Sequence, residues 1–130
     1  MNKTDTDKTV LLVDDEMDIC DFLSEYLNER NINSHFATNI EKALEIAQEQ
    51  PLSLIFLDNN LLSNVKGVEY IPQFKEINPS CKVYMLSANS KPEVRQRAHV
   101  LGADGFITKP FDFEVFDKVL ESLHQQEEEK

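Results

Sequence analysis

The sequence predicts an α/β fold with a doubly wound, five-stranded parallel sheet flanked by five helices. Short apolar runs alternate five times with helical patterns along the 130 residues, and such alternation gives parallel strands joined by right-handed crossovers. Three of the runs are apolar throughout, which is typical of strands covered on both faces. The second is half polar and the fifth is short, so both belong at sheet edges. This predicts the strand order 2-1-3-4-5.

Each element follows from a local pattern in the chain. The strands are predicted at residues 10–13, 34–37, 54–57, 83–86 and 106–108. Between them, apolar residues spaced by three and four predict helices. The predicted inward faces, in chain order, are Ile19, Phe22, Leu23, Tyr26 and Leu27; Ile40, Ala43, Leu44 and Ala47; Val68, Ile71, Phe74 and Ile77; Val94, Ala98 and Leu101; Phe113, Phe116, Leu120 and Leu123.

Local signals predict where the helices begin. Thr38 and Ser90 each stand three residues before a glutamate, which is the capping-box spacing, and they are expected to begin the second and fourth helices. Pro72 must lie in the first turn of the third helix, because a proline further inside would break it. Asp112 can cap the fifth helix.

The composition excludes several classes of function. Acidic residues outnumber basic ones by 24 to 13, for a net charge of −11, which argues against nucleic acid or an anionic membrane as a direct partner. The three glycines form no phosphate-binding cluster, so Walker and Rossmann nucleotide sites are not expected. No apolar run approaches the ~20 residues of a membrane-spanning helix, and no leader pattern opens the chain.

The same composition bears on location and domain organisation. Cys20 and Cys81 have neither metal-like nor disulfide-framework spacing, so both are expected to be buried thiols in a reducing cytoplasm. Polar ends predict tails at residues 1–8 and 125–130, with one domain over residues 9–124.

Polar side chains end four of the five predicted strands. Asp14 and Asp15 follow the first strand and Asp58 the third, while Ser87 and Lys109 end the fourth and fifth. Ligands of such sheets bind at the carboxyl ends of the strands, where the strand order reverses direction. The topology therefore predicts three carboxylates, a hydroxyl and an amine at one edge of the sheet.

The residue types at this edge favour metal-assisted phosphoryl chemistry. Two carboxylates ~5 Å apart repel by roughly 3 kcal/mol at an effective dielectric of ~20, so a proton or a cation must be bound. Ligands that are all oxygen favour a hard cation, and Mg²⁺ suits one or two carboxylates with a carbonyl and waters. A carboxylate beside a metal and a lysine can accept a phosphoryl group.

Four ordered segments resemble the receiver domain of two-component response regulators, of the single-domain chemotaxis type. They are VLLVDDE at 10–16, LIFLDNNL at 54–61, MLSA at 85–88 and GADGFITKPF at 102–111. The resemblance covers about residues 9–124 and implies a flavodoxin-like fold. It also implies a phosphoacceptor that is not an enzyme beyond its own phosphorylation and dephosphorylation.

The resemblance assigns roles to individual residues. Asp58 is the implied phosphoacceptor, taking its phosphoryl group from a histidine kinase or a histidine phosphotransfer protein. By the same resemblance, Mg²⁺ would be bound directly by Asp15, Asp58 and the Asn60 carbonyl, and largely through water by Asp14. The phosphoryl oxygens would be held by Lys109, by the Ser87 hydroxyl and by the amides of Asn60 and Ala88. The Lys109–Pro110 peptide is expected to be cis, and a downstream protein is expected to bind helix four, strand five and helix five.

The sequence departs from the family pattern at two places. Leu62 stands where the family usually has proline, and Gly67 is nine rather than eight residues after Asp58, so the loop at 61–66 has one extra residue. At the switch position, three residues before the lysine, Phe106 can swing inward with Ser87 but cannot make the hydrogen bond of a tyrosine. A fixed core position for Phe106 is the alternative.

Other interpretations remain open from the sequence. The acidic first helix is either a kinase-docking surface or a solvated face. A receiver-like scaffold that works without phosphorylation is the main alternative function. A haloacid dehalogenase-type phosphatase is disfavoured because Asn60 replaces the second aspartate, and an FMN carrier because the acids after the first strand would repel its phosphate.

Overall fold

The computed structural model describes the backbone of residues 8–128 and the side chains of residues 8–122. Five strands form one parallel sheet: β1 (Thr9–Val13), β2 (Asn33–Ala37), β3 (Leu54–Asp58), β4 (Lys82–Ser87) and β5 (Gly105–Thr108). Their order is β2-β1-β3-β4-β5. The predicted fold class and strand order are confirmed.

Five helices connect and cover these strands: α1 (Met17–Asn28), α2 (Ile40–Glu49), α3 (Ile71–Ile77), α4 (Pro92–Leu101) and α5 (Phe113–Glu128). Pro72 lies in the first turn of α3, as predicted. The backbone of α5 extends into the predicted tail at 125–130, and the side chain of Leu123 lies outside the described residues. None of the helices within residues 8–128 is long and apolar enough to cross a membrane.

Alternating side chains of the strands build two cores on opposite faces of the sheet. Leu11, Ile55 and Val83 belong to the cluster under α2, α3 and α4. Leu12 and Phe56 belong to the cluster under α1 and α5. Because both faces of β1 and β3 are covered, residues 10–13 and 54–57 are at most 1% exposed, which explains their unbroken apolar runs.

Two aromatic residues that were predicted to face the core are exposed instead. Phe22 is 56% and Phe113 is 37% exposed. Their rings meet edge to face at 5.2 Å between centroids, and Tyr26 stacks on Phe113 at 4.6 Å. The reason is geometric: Tyr26 and Phe116 fill the space beneath the α1–α5 seam, so the neighbouring rings can only pack along its outer side.

The N-caps of two helices lie one residue later than predicted. The N-cap of α2 is Asn39, whose side chain accepts a hydrogen bond from the Lys42 amide at 2.8 Å, and not Thr38. Asparagine is at least as good a cap, and it stands one residue closer to the helix. The N-cap of α4 is Lys91 rather than Ser90. Here Pro92 sets the first helical position through its fixed φ, so no capping side chain is required.

The loop between β3 and α3 absorbs its extra residue as a small antiparallel hairpin. Two-residue strands, Asn60–Leu61 and Val65–Lys66, pair with each other, and Ser63 and Asn64 between them adopt left-handed φ values of 62° and 60°. The sequence did not predict this hairpin. A 3₁₀ turn, Gly67–Tyr70, leads from it into α3.

Gly67 packs the end of the hairpin against the end of β3. Its amide donates to the Asn59 carbonyl at 2.9 Å, and the Val68 amide donates to Asn59 Oδ1 at 3.2 Å. A Cβ atom at Gly67 would lie 2.2 Å from the carbonyl oxygen of Asp58. Only glycine therefore allows the loop to pack this closely against the strand that carries Asp58.

We expect Gly67→Ala to lower the free energy of unfolding by about 1–3 kcal/mol, because the added methyl group must push the loop away from β3. Urea denaturation followed by circular dichroism measures this. Ser63→Gly in the same loop is the control: it relieves a left-handed serine but adds chain entropy, so its stability should stay close to that of the parent. Equal stability of Gly67→Ala and the parent would contradict the close packing.

Candidate functional site

Three carboxylates meet at the carboxyl ends of β1 and β3. Asp14 and Asp15 follow β1, Asp58 ends β3, and one oxygen from each lies within 4.8 Å of the other two. Asp14 and Asp58 are only 1% and 4% exposed, whereas Asp15 is half-buried. The topology brings these side chains together because β1 and β3 are neighbours at the reversal of the strand order.

Lys109 extends from the end of β5 to this acidic cluster. Its Nζ lies 2.9 Å from Asp14 Oδ2 and 3.5 Å from Asp58 Oδ1. Its backbone amide donates to the Ser87 carbonyl at 2.9 Å, which ties β5 to the end of β4. The Lys109–Pro110 peptide is cis, as the resemblance implied. One ammonium group therefore faces three carboxylates.

This imbalance is reflected in the acid–base behaviour of the site. Burial raises the pKa of Asp58 to about 6, the negative charge of Asp14 adds to this, and the ammonium of Lys109 partly opposes it. For Lys109, burial lowers the pKa, but the hydrogen bond to Asp14 and the charge of Asp58 outweigh burial, so the net pKa is raised. Lys109 is therefore protonated and Asp58 mostly ionised at neutral pH.

The asparagines after Asp58 have two different tasks. The Asn60 amide points toward Asp58 Oδ1 at 3.4 Å, and Asn60 Oδ1 accepts a hydrogen bond from Lys66 Nζ at 2.9 Å. Asn59 is buried and holds the hairpin through both of its oxygens. Sequence reasoning missed the contributions of Asn59 and Lys66, because both depend on the unpredicted hairpin.

Ser87 is fully buried at the end of β4, and its hydroxyl is engaged by the turn that follows. Ser87 Oγ donates to the Asn89 carbonyl and accepts from the Asn89 amide, each at 3.1 Å. Ala88, next to it, is exposed and small, so its side chain leaves the edge of the site open. Phe106 lies on β5 and is half-buried against the core under α4.

Cys20 contributes a buried thiol behind the acidic cluster. Its Sγ donates to the Asp14 carbonyl at 3.4 Å, and burial followed by the charge of Asp14 raises its pKa to about 11. Cys81 is also buried and free. The prediction that both cysteines are buried is confirmed.

The residues present fit a hard metal cation. The donors are carboxylate oxygens, and the negative charge in excess of Lys109 is what a cation would neutralise. Oxygen donors of this kind suit Mg²⁺ or Ca²⁺ rather than a soft metal.

The chain matches known proteins over most of its length. A family model described as response regulator receiver domain matches residues 10–121. The cyclic di-GMP phosphodiesterase of Thermotoga maritima is 32% identical over 107 residues, which cover 82% of this chain and 28% of that protein. The chain spans about a quarter of the length of the first curated relatives it matches.

Solved structures agree with the fold. A receiver domain protein from Methanospirillum hungatei has a TM-score of 0.86 at 25% identity, covering 95% of this chain and 98% of its own. A response regulator from Burkholderia pseudomallei, which contains a phosphorylated aspartic acid and a calcium ion, has a TM-score of 0.82 at 26% identity, covering 93% and 72%. Since sequence match and strand order agree, the chain belongs to the response regulator receiver domain family of two-component signalling.

Proposed function

We propose that this domain receives a phosphoryl group on Asp58 and relays the event to another protein. The observation that carries the proposal is the placement of Asp58 between two further carboxylates and the Lys109 ammonium. Receiver domains interact with histidine kinases and downstream effectors. For this chain, the donor is a histidine kinase or a histidine phosphotransfer protein.

The proposed metal is Mg²⁺, held directly by Asp15, Asp58 and the Asn60 carbonyl, and largely through water by Asp14. When bound, the metal neutralises charge on the phosphoryl oxygens as they approach. The contact of Asp14 with Lys109 at 2.9 Å supports this division, because it leaves Asp14 already paired. Asp15 has no hydrogen bond or ion pair within the described part of the chain, so it is available to a cation.

The reaction is an in-line displacement at phosphorus. An oxygen of ionised Asp58 forms the new P–O bond, the P–N bond to the donor histidine breaks, and its electron pair remains on the imidazole, which takes up a proton. Lys109 is near enough to pair with the arriving phosphoryl group. The Ser87 hydroxyl donates a hydrogen bond to a phosphoryl oxygen, and the backbone amides of Asn60 and Ala88 donate the others.

The output would then pass through α4, β5 and α5. Drawing the Ser87 hydroxyl toward the phosphoryl group opens its bonds to Asn89 and lets Phe106 turn into the space beneath α4. Apart from its own phosphorylation and dephosphorylation, the domain catalyses no reaction in this proposal. Its location is cytoplasmic, which is compatible with the free thiols of Cys20 and Cys81.

Acetyl phosphate with Mg²⁺ should add one phosphoryl group to the protein, seen by intact-mass spectrometry. Asp58→Asn should abolish the gain, because the amide is no nucleophile. Asp18→Asn, which removes an exposed acid of α1, is the matched control and should be phosphorylated like the parent. A gain in Asp58→Asn, at another carboxylate, would contradict the assignment of the acceptor, and no gain in the parent would favour the scaffold alternative.

Mg²⁺ should bind the free protein weakly, in roughly the millimolar range, since few protein ligands are provided. Asp15→Asn should weaken binding about tenfold or more, and Asp14→Asn should weaken it less, because Asp14 is already paired with Lys109. Isothermal titration calorimetry measures both. Equal affinities of the two variants, or a strong preference for Zn²⁺, would overturn the proposed ligand set.

Asp58→Asn should stabilise the metal-free protein. The pKa of Asp58 is raised from 3.8 to about 6, so its ionised form opposes folding above that pH, by up to about 3 kcal/mol. The advantage of Asp58→Asn should be full at about pH 7.5, should shrink as the pH falls from about 6 through 3.8, and should vanish below about pH 3, where aspartate is protonated in both states. Urea denaturation in chelator measures it, and a less stable variant at the higher pH would contradict the charge repulsion.

A further inference from the structure

The side chain of Arg95 joins three parts of the α4–β5 face. Its guanidinium carbon lies 4.7 Å from the centroid of the Phe106 ring. Its Nη2 donates to Thr108 Oγ1 at 3.0 Å, and its Nε donates to the Ser90 carbonyl at 3.3 Å. One residue of α4 therefore contacts β5 on both sides of Ile107, together with the turn that precedes α4.

Through these contacts, Arg95 is connected to Ser87 both along the turn before α4 and across the sheet. The Ser87 hydroxyl holds Asn89 by two hydrogen bonds, and Ser90 is the next residue of that turn. Ser87 also lies opposite Thr108 in the register of β4 and β5. A displacement of the Ser87 hydroxyl therefore reaches Arg95 along the turn, while Thr108 anchors the guanidinium from the sheet.

We propose that Arg95 is a positioning residue for Phe106, holding its ring in the observed place until the turn after Ser87 rearranges. This inference rests on the proposed function, because it assumes that Phe106 responds to phosphorylation. A phenylalanine ring has no polar group by which it can be fixed. The guanidinium supplies a directional contact over the ring face, and its planar set of donors can bond Thr108 and Ser90 at the same time.

The proposed sequence of events follows from the contacts. When a phosphoryl oxygen accepts a hydrogen bond from the Ser87 hydroxyl, the hydrogen bonds between Ser87 and Asn89 are lost. The Ser90 carbonyl then moves with the turn. Arg95 then loses one of its two acceptors, and its hold on the ring weakens. Phe106, no longer held by Arg95, is then free to turn further inward beneath α4. Arg95 therefore favours the resting state, and its removal shifts the equilibrium toward the active one.

The neighbouring Arg97 offers a matched control on the same helix. Its guanidinium pairs with Glu69 through two hydrogen bonds, at 3.1 and 2.7 Å. Arg97→Gln removes the same charge from α4 as Arg95→Gln but leaves the contacts of Phe106 and Thr108 in place. A general effect of charge on α4 would therefore appear in both variants, whereas the positioning role would appear in only one.

The test follows the ring signals of Phe106 by NMR in protein labelled at phenylalanine, with the signals assigned by their loss in Phe106→Leu. In the parent, Mg²⁺ with beryllofluoride, a phosphoryl mimic, should move these signals. Without the mimic, Arg95→Gln should place them part of the way toward that position, for about a two- to fivefold change in the equilibrium. Arg97→Gln should leave them in place.

Two further variants separate the contributions of the side chain. Arg95→Lys keeps the charge near the ring but not the planar pair of donors, so it should shift the Phe106 signals less than Arg95→Gln. Thr108→Val removes only the Oγ1 acceptor and should move them in the same direction as Arg95→Gln. Opposite shifts in Thr108→Val and Arg95→Gln would overturn the inference.

The possible failures are distinguishable. If beryllofluoride moves signals near Asp58 but not those of Phe106 in the parent, the proposed switch is wrong and the inference fails with it. If Phe106 responds in the parent and Arg95→Gln matches the parent with and without the mimic, the switch stands and the role of Arg95 is wrong. Because the Arg95 side chain is exposed, thermal unfolding should show that Arg95→Gln remains folded.

Discussion

The excess of negative charge at one edge of the sheet is the constraint on which this domain depends. Asp14, Asp15 and Asp58 bring their oxygens within 4.8 Å, while Lys109 contacts two of them. A folded protein ordinarily avoids such a cluster, because each pair of charges costs roughly 3 kcal/mol at this range. In the proposed function a bound cation neutralises this excess, so that the anionic phosphoryl group can approach Asp58.

Burial of the apolar strands stabilises the fold and offsets the charge repulsion at the acidic edge of the sheet. Residues 10–13 and 54–57 are almost completely buried between the two cores, so β1 and β3 are fixed in position along their length. Their carboxyl ends can therefore hold acidic groups close together without separating. At the end of β3, the contact of Gly67 with the Asp58 carbonyl and the two oxygens of Asn59 serve the same purpose.

Sequence reasoning recovered the fold because the strongest patterns lie in the buried strands. Continuous apolar runs and the polar residues after them were sufficient to predict the strand order and the meeting of Asp14, Asp58 and Lys109. The predictions that were wrong concern positions where neighbouring residues compete for the same cap or the same space. Asn39 caps α2 because it stands one residue closer to the helix than Thr38. Phe22 is exposed because Tyr26 and Phe116 already fill the space beneath the seam between α1 and α5. The hairpin at 60–66 could not be foreseen, because left-handed serine and asparagine residues carry no reliable sequence signal.

The helices differ in how firmly the sheet holds them, and this difference indicates which one can move. α1 buries Leu23, Tyr26 and Leu27, whereas Ala98 alone is fully buried in α4. A helix that buries so little apolar surface depends on polar contacts for its position. On the side of α4 that faces β5, these contacts are made by Arg95 to Thr108 and Ser90. Such exposed contacts are individually weak, so in the proposed switch a rearrangement of the turn near Ser87 competes with them. The two features are thus complementary in the proposed function: charge repulsion is concentrated at Asp58, and α4 is held by contacts weak enough to rearrange when the charge at that site changes.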